Sequence, residues 1–146
     1  MKVLVIHGPN LNLLGRREPE IYGRLSLEEI NLQIRQFARE NAFQVDIFQS
    51  NGEGEIVTKI QEAAGQYDAL VINPGAYTHT SLAIRDAVAA GLIPCIEVHL
   101  SNIFGREEHR KRSYLSEVAA GQISGFGPTS YILGLRAAQA LVEAKR

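Results

Sequence analysis

At 146 residues, 45% of them hydrophobic and 21% charged, the chain is long enough to bury one sizeable core and reads as a single domain spanning 1–146. A formal net charge of −1, with no block of like charge, argues against a nucleic-acid or membrane-surface role. The lone Cys95 excludes a disulfide framework, Val3–Ile6 is too short for a secretion signal, and nothing approaches the roughly 20 apolar residues of a membrane span, so a cytoplasmic protein is expected.

Val3-Leu4-Val5-Ile6 is apolar at every position, as in a strand covered on both faces, and it stops at His7-Gly8-Pro9-Asn10. Residues 11 to 24 form a long connection with Gly15, Arg16, Arg17, Pro19, Tyr22 and Gly23. A connection this long in a small domain is often a lid over a site. Ser26 and Glu29 make a capping box for a helix to about residue 41, with Leu25 and Ile30 as its hydrophobic staple. Phe43–Gln49 reads as the second strand. A turn at 50–54 leads into a second helix carrying Ile56, Ile60, Ala63 and Ala64 on one face. Ala69–Ile72 is the third strand, ended by Asn73-Pro74-Gly75, and Thr80–Ala90 the third helix. Pro94 opens the fourth strand, 122–126 is a short fifth, and Gly127-Pro128 starts a last helix with Tyr131, Leu135, Ala138 and Val142 inward.

Five strands alternating with helices imply a doubly wound parallel sheet with helices on both faces. In the order 2-1-3-4-5 a crevice opens where the C-terminal ends of strands 1 and 3 diverge. Asn10, Asn73, His99 and Ser101 all fall at such ends. In the third helix Ile84, Ala87 and Val88 form the core stripe, while Leu82, Asp86 and Ala89 face outward, where they meet either solvent or another subunit.

The fourth strand carries the strongest chemical signal. Alternation puts Cys95, Glu97 and His99 on one face and Ile96, Val98 and Leu100 on the other. An unpaired carboxylate inside an apolar strand is very costly, so Glu97 needs a partner. A carboxylate two positions before a histidine can orient its imidazole and favour its charged form. The plain alternative is a satisfied core pair with no chemistry.

Other chemistries lack support. Gly52-Glu53-Gly54 has Val57 where a dinucleotide fingerprint needs glycine. Cys and His are not spaced as metal ligands, and Ser81 is not in a nucleophile elbow. Strand 3 ends in Asn73, not the Asp of a phospho-receiver. None of Lys2, Lys59, Lys111 and Lys145 stands at the C-terminal end of a core strand. What remains is acid–base work by His99, Tyr22 and arginines. A phenolate base at neutral pH needs roughly 4 kcal/mol of stabilisation. One cation at ~4 Å in an effective dielectric of ~20 supplies about that much. Arg17, or alternatively Arg16, lies in the same connection as Tyr22, with Gly15 and Gly23 as hinges. The alternative for Tyr22 is an aromatic plugging the core edge.

Several long stretches, in order, resemble the type II 3-dehydroquinate dehydratases. They are Gly8-Pro9-Asn10-Leu11-Asn12-Leu13-Leu14-Gly15, Arg17-Glu18-Pro19, Tyr22-Gly23, Ser50-Asn51 and Glu53-Gly54-Glu55. They continue with Asn73 through Ser81, Arg85-Asp86-Ala87, Glu97 through Asn102, and Arg106-Glu107-Glu108. The resemblance implies a flavodoxin-like fold and reversible, cofactor-free and metal-free dehydration of 3-dehydroquinate to 3-dehydroshikimate through an enolate, in the shikimate pathway of aromatic amino-acid biosynthesis. It implies Tyr22 as base, Arg17 steadying phenolate and enolate, Asn10 assisting through a water, and His99, held by Glu97, as general acid. It also implies that Asn73, His79, Arg110 and the Leu100-Ser101 backbone bind the substrate. Asp86 would reach a neighbour's site in a trimer, four trimers forming a dodecamer. A non-catalytic small-anion binding module on the same scaffold is the rival expectation. His109, where an aromatic or apolar residue is expected, and Thr129-Ser130, where glycine is common, depart from the family pattern.

Overall fold

The computed structural model describes all 146 residues. Five parallel strands form one sheet in the order β2-β1-β3-β4-β5: β1 Lys2–His7, β2 Gln44–Gln49, β3 Ala69–Asn73, β4 Cys95–His99 and β5 Gly121–Ser124. The helices are α1 Pro19–Tyr22, α2 Leu27–Glu40, α3 Glu53–Ala63, α4 Leu82–Gly91 and α5 Thr129–Ala144. This is the expected doubly wound, flavodoxin-like sheet. None of the helices is long and apolar enough to cross a membrane.

Strand alternation sorts the core into two layers. Val3, Val5, Val71, Ile96 and Val98 pack with Ile30, Ile34 and Phe37 of α2 and with Tyr131, Leu135 and Ala138 of α5. Leu4, Ile6, Leu70, Ile72 and Cys95 pack with Ile56 and Ile60 of α3 and with Ile84 and Val88 of α4. Each fully buried Ile or Leu contributes about 1.5–3 kcal/mol, so truncating Ile34 or Ile60 to Ala would cost roughly 2–5 kcal/mol.

The local signals hold to within a residue or two at most boundaries, and three of the differences have a local cause. Ser26 Oγ accepts from the Glu29 N–H at 3.1 Å, as a cap should. The helix expected over Thr80–Ala90 begins at Leu82, because the Ser81 hydroxyl accepts from the Ile84 N–H at 3.0 Å and a 3₁₀ turn, Gly75–His79, occupies the preceding residues. The fifth strand is Gly121–Ser124 rather than 122–126, since Gly125 and Gly127 turn the chain away with φ of 98° and 57°. Pro128 sits at the N-cap of α5, one residue before its first turn, and the Ser130 hydroxyl accepts from the Phe126 N–H at 3.1 Å to close that turn. Ser130 thus does local structural work where glycine was the expectation.

The C-terminal ends of β1 and β3 come very close. A Cβ on Gly8 would stand 2.5 Å from the Pro74 carbonyl oxygen, so only glycine lets the two polar loops cross there. That crossing sets the floor of the site.

Candidate active site

One pocket lies over the C-terminal ends of β1, β3 and β4. Asn10, Arg17, Tyr22, Asn73, His79, His99, Leu100, Ser101 and Arg110 all line it. These nine include every expected site residue except Glu97 and Asp86. Glu97 is fully buried behind His99 on the same strand face. Asp86 lies exposed on α4, outside the lining, and takes a guanidinium N–H of Arg85 at 2.9 Å.

The His99 side is built from buried hydrogen bonds. His99 Nε2 stands 2.5 Å from Glu97 Oε2. The same carboxylate accepts from Thr78 Oγ1 at 2.6 Å, from Ser113 Oγ at 2.8 Å and from Ser116 Oγ at 2.8 Å. Gln122 Nε2 adds a longer donor at 3.3 Å. Burial alone would raise the Glu97 carboxyl, but the His99 imidazole and the hydroxyls of Thr78 and Ser113 outweigh it and hold the pKa at about 2. An ionised carboxylate can only accept, so Nε2 of His99 carries a proton. Nδ1 is then the ring nitrogen left for a ligand.

His79 is fixed in the opposite sense. Its Nδ1 lies 2.7 Å from the Arg112 carbonyl, which can only accept, so Nδ1 carries the proton. Burial lowers its pKa against that bond, with His99 and Arg110 adding to the depression. Neutral His79 offers Nε2 as an acceptor.

The Tyr22 side is built differently. The connection after β1 folds into a 3₁₀ turn, Leu11–Leu13, and the single turn of α1, bracketed by Gly15 and Gly23 at φ 88° and 87°. It brings Arg17 and Tyr22 over the pocket. The Arg17 guanidinium sits 4.8 Å from the Tyr22 ring centroid, and Arg106 lies 5.1 Å from it. Arg16, the alternative from sequence, is exposed and outside the lining. The Tyr22 ring also packs against the α2/α5 core, so the core-edge reading holds alongside its place in the pocket.

Arg106 is the main residue that sequence reasoning left without a role. It was visible in the Arg106-Glu107-Glu108 stretch, but nothing local shows that it reaches back over Tyr22. A hydrogen bond to Ser101 Oγ at 3.3 Å helps hold it there. Arg110 pairs with Glu107 at 2.8 Å, yet its Nε–H is misaligned for a hydrogen bond and has no other partner. Three guanidinium groups therefore line one small pocket, which suits an anionic ligand. His109 is exposed and outside the lining.

Residues 1–139 match the family described as Dehydroquinase class II. The 3-dehydroquinate dehydratase of Geotalea daltonii is 58% identical over 137 residues, covering 94% of this chain and 95% of that protein. The corresponding protein of Pelotomaculum thermopropionicum is 56% identical over 141 residues, covering 97% of this chain and 98% of its own. Among solved structures, the type II dehydroquinase from Butyrivibrio crossotus superposes with a TM-score of 0.94 at 48% identity, covering 95% of this chain and 97% of that one.

Proposed function

The chain belongs to the class II dehydroquinase family, and we propose that it is a hydro-lyase that dehydrates 3-dehydroquinate to 3-dehydroshikimate through an enolate, with Tyr22 as base and His99 as general acid. The observation that carries this reading is the pairing, in one pocket, of a phenol flanked by two guanidinium groups with an imidazole bound to a buried carboxylate.

The chemistry follows from those groups. The substrate carries a carboxylate, for which Arg110 is available. Tyr22, as phenolate, takes the proton on the carbon beside the ketone. The C–H electron pair moves onto the ketone oxygen as an enolate. Arg17 and Arg106 favour both anions by Coulomb attraction, and Asn10 at the pocket rim assists the enolate through a water. The enolate then collapses and expels the β-hydroxyl, which leaves as water with a proton from His99 Nδ1. Glu97 stabilises the charged imidazole before transfer and holds its tautomer afterwards. Asn73, His79 and the Leu100-Ser101 backbone hold the remaining hydroxyls. No electrons are gained or lost overall, so the reaction calls for no redox cofactor.

The proposal extends to assembly and setting: a cytoplasmic homo-oligomer, a dodecamer of four trimers, acting in the shikimate pathway. Support comes from the outward side of α4, where Leu82 is 55% exposed beside Ala83, Asp86 and Ala89. Covering that side with a second copy would bring Asp86 to a neighbour's pocket.

The test mixes purified protein with 3-dehydroquinate and follows the ultraviolet absorbance of the conjugated enone. Turnover is expected from the natural chain. Tyr22→Phe should lose activity by on the order of 10²–10⁴-fold or more while still binding the ligand. Near-normal turnover in that variant would remove Tyr22 as base, and binding without any turnover in the natural chain would favour the anion-binding reading.

A further inference from the structure

Beneath the pocket floor a hydrogen-bonded chain runs from Asn73 to Tyr131, His7 and Asn31, three residues that the proposed mechanism does not use. His7 and Asn73 end β1 and β3 and are register partners. Both are buried, at 0% and 2% exposure, and both point to the face covered by α2 and α5. The Gly75 N–H donates to Asn73 Oδ1 at 3.1 Å. A backbone N–H can only donate, so this bond settles which end of the amide is oxygen. Asn73 Nδ2 therefore donates to the Tyr131 hydroxyl, 3.1 Å away. That hydroxyl spends its one proton on His7 Nδ1 at 2.7 Å. His7 is then the Nε2–H tautomer and donates to Asn31 Oδ1 at 2.8 Å. Each link sets the direction of the next, from Gly75 to α2.

Burial supports the neutral state this direction needs, lowering the His7 pKa to about 4 against the Asn31 bond. The His7 and Tyr131 rings also pack edge-on, with centroids 5.0 Å apart. Asn73 and Gly75 border the pocket, and of the linked side chains only Asn73 does.

We propose that His7 and Tyr131 are positioning residues for substrate recognition: they lock the Asn73 amide in one orientation, so that its second N–H and the free side of Oδ1 meet a substrate hydroxyl as a fixed donor and acceptor. The proposal rests on Asn73 touching the substrate. Without Tyr131 to receive Nδ2, the amide can turn over and present the two groups interchanged. Recognition then loses its preorganisation while the acid and base stay in place.

The test is steady-state kinetics on four variants, with 3-dehydroquinate as substrate and the enone absorbance as readout. Tyr131→Phe and His7→Leu should raise KM about tenfold, the loss expected for one buried hydrogen bond, with kcat within about twofold. His7→Gln should restore KM, because its Oε1 accepts from Tyr131 and its Nε2 donates to Asn31. A purely structural role predicts equal KM for His7→Gln and His7→Leu, and that result would overturn the proposal. So would a change confined to kcat. Asn73→Ala separates the two layers: it should raise KM at least as much as Tyr131→Phe, and a natural KM there would overturn both the relay and the assignment of Asn73. If His7→Leu does not fold, Tyr131→Phe carries the same KM-against-kcat comparison, with an unchanged KM overturning the proposal.

Discussion

The two halves of the site are held by different physics. The His99–Glu97 half sits on a central strand, with His99 5% exposed and Glu97 fully buried, and the carboxylate collects donors from Thr78, Ser113 and Ser116. The Tyr22 half hangs on a four-residue helix in a long connection and is held by two guanidinium groups on the ring face and by packing against the core. The His99 imidazole is set by short directional bonds in a low dielectric, the Tyr22 ring by weaker cation–ring contacts that depend on where the connection lies. The elimination proposed above calls on both: a proton donor with one fixed tautomer, and a base in a site that excludes water.

Breaking the fixed half should have the largest effect. Glu97→Ala removes the acceptor of three hydroxyls and one imidazole, and should cost about 3–5 kcal/mol of stability in denaturant melts. Glu97→Gln keeps the volume and should lower kcat by on the order of 10²–10⁴-fold with a small change in KM. If Glu97→Gln left kcat intact, the buried pair would be structural only.

Breaking the adjustable half should be milder and pH-dependent. Arg17→Ala removes one of two cations beside Tyr22, while Arg106 remains. Activity at neutral pH should fall roughly 10–100-fold, less than the ~4 kcal/mol of a pair at ~4 Å in an effective dielectric of ~20, because the ring is only half buried. The loss should shrink as pH rises and phenolate forms without help. A pH–rate profile parallel to that of the natural chain would uncouple Arg17 from Tyr22. The double variant with Arg106→Ala should lose more than either alone.

Acid stability separates the fixed half from the relay beneath it. His7 is held neutral with its pKa lowered from 6.5 to about 4, so its contribution is complete above pH 6.5 and is lost as pH falls toward 4. The cost of that loss is ~3 kcal/mol. Glu97 has its pKa lowered from 4.5 to about 2, so its contribution is complete above pH 4.5 and is lost as pH falls through 2. Denaturant melts should therefore show a first loss between pH 6.5 and 4 that disappears in His7→Gln, and a second, more acidic one that does not. A single loss below pH 4.5 in the natural chain would remove His7 from this account.

The smallest effect belongs to the residue outside the pocket. Asp86→Ala should change thermal stability of the single chain by less than about 0.5 kcal/mol, since Arg85 keeps Glu117 at 3.2 Å. It should weaken substrate binding a few-fold only if a second copy brings Asp86 to the site. Sedimentation of the natural chain as a monomer with full activity would reject that arrangement.

The amino-acid sequence by itself determined what depends on local periodicity and on single residues. Apolar runs marked the central strands, the cap at Ser26 set a helix start, and strand alternation put Glu97 and His99 on one face. The boundary errors at Thr80 and at 122–126 came from short 3₁₀ and glycine turns, whose signals span too few residues to read. Tertiary structure alone decided which distant side chains meet. It chose Arg17 over Arg16, laid Arg106 over Tyr22, and gathered Thr78, Ser113 and Ser116 around Glu97. It also joined His7 to Tyr131, 124 residues away. Those contacts depend on how loops cross at the ends of a twisted sheet, and a loop's path is set by everything it packs against rather than by its own sequence.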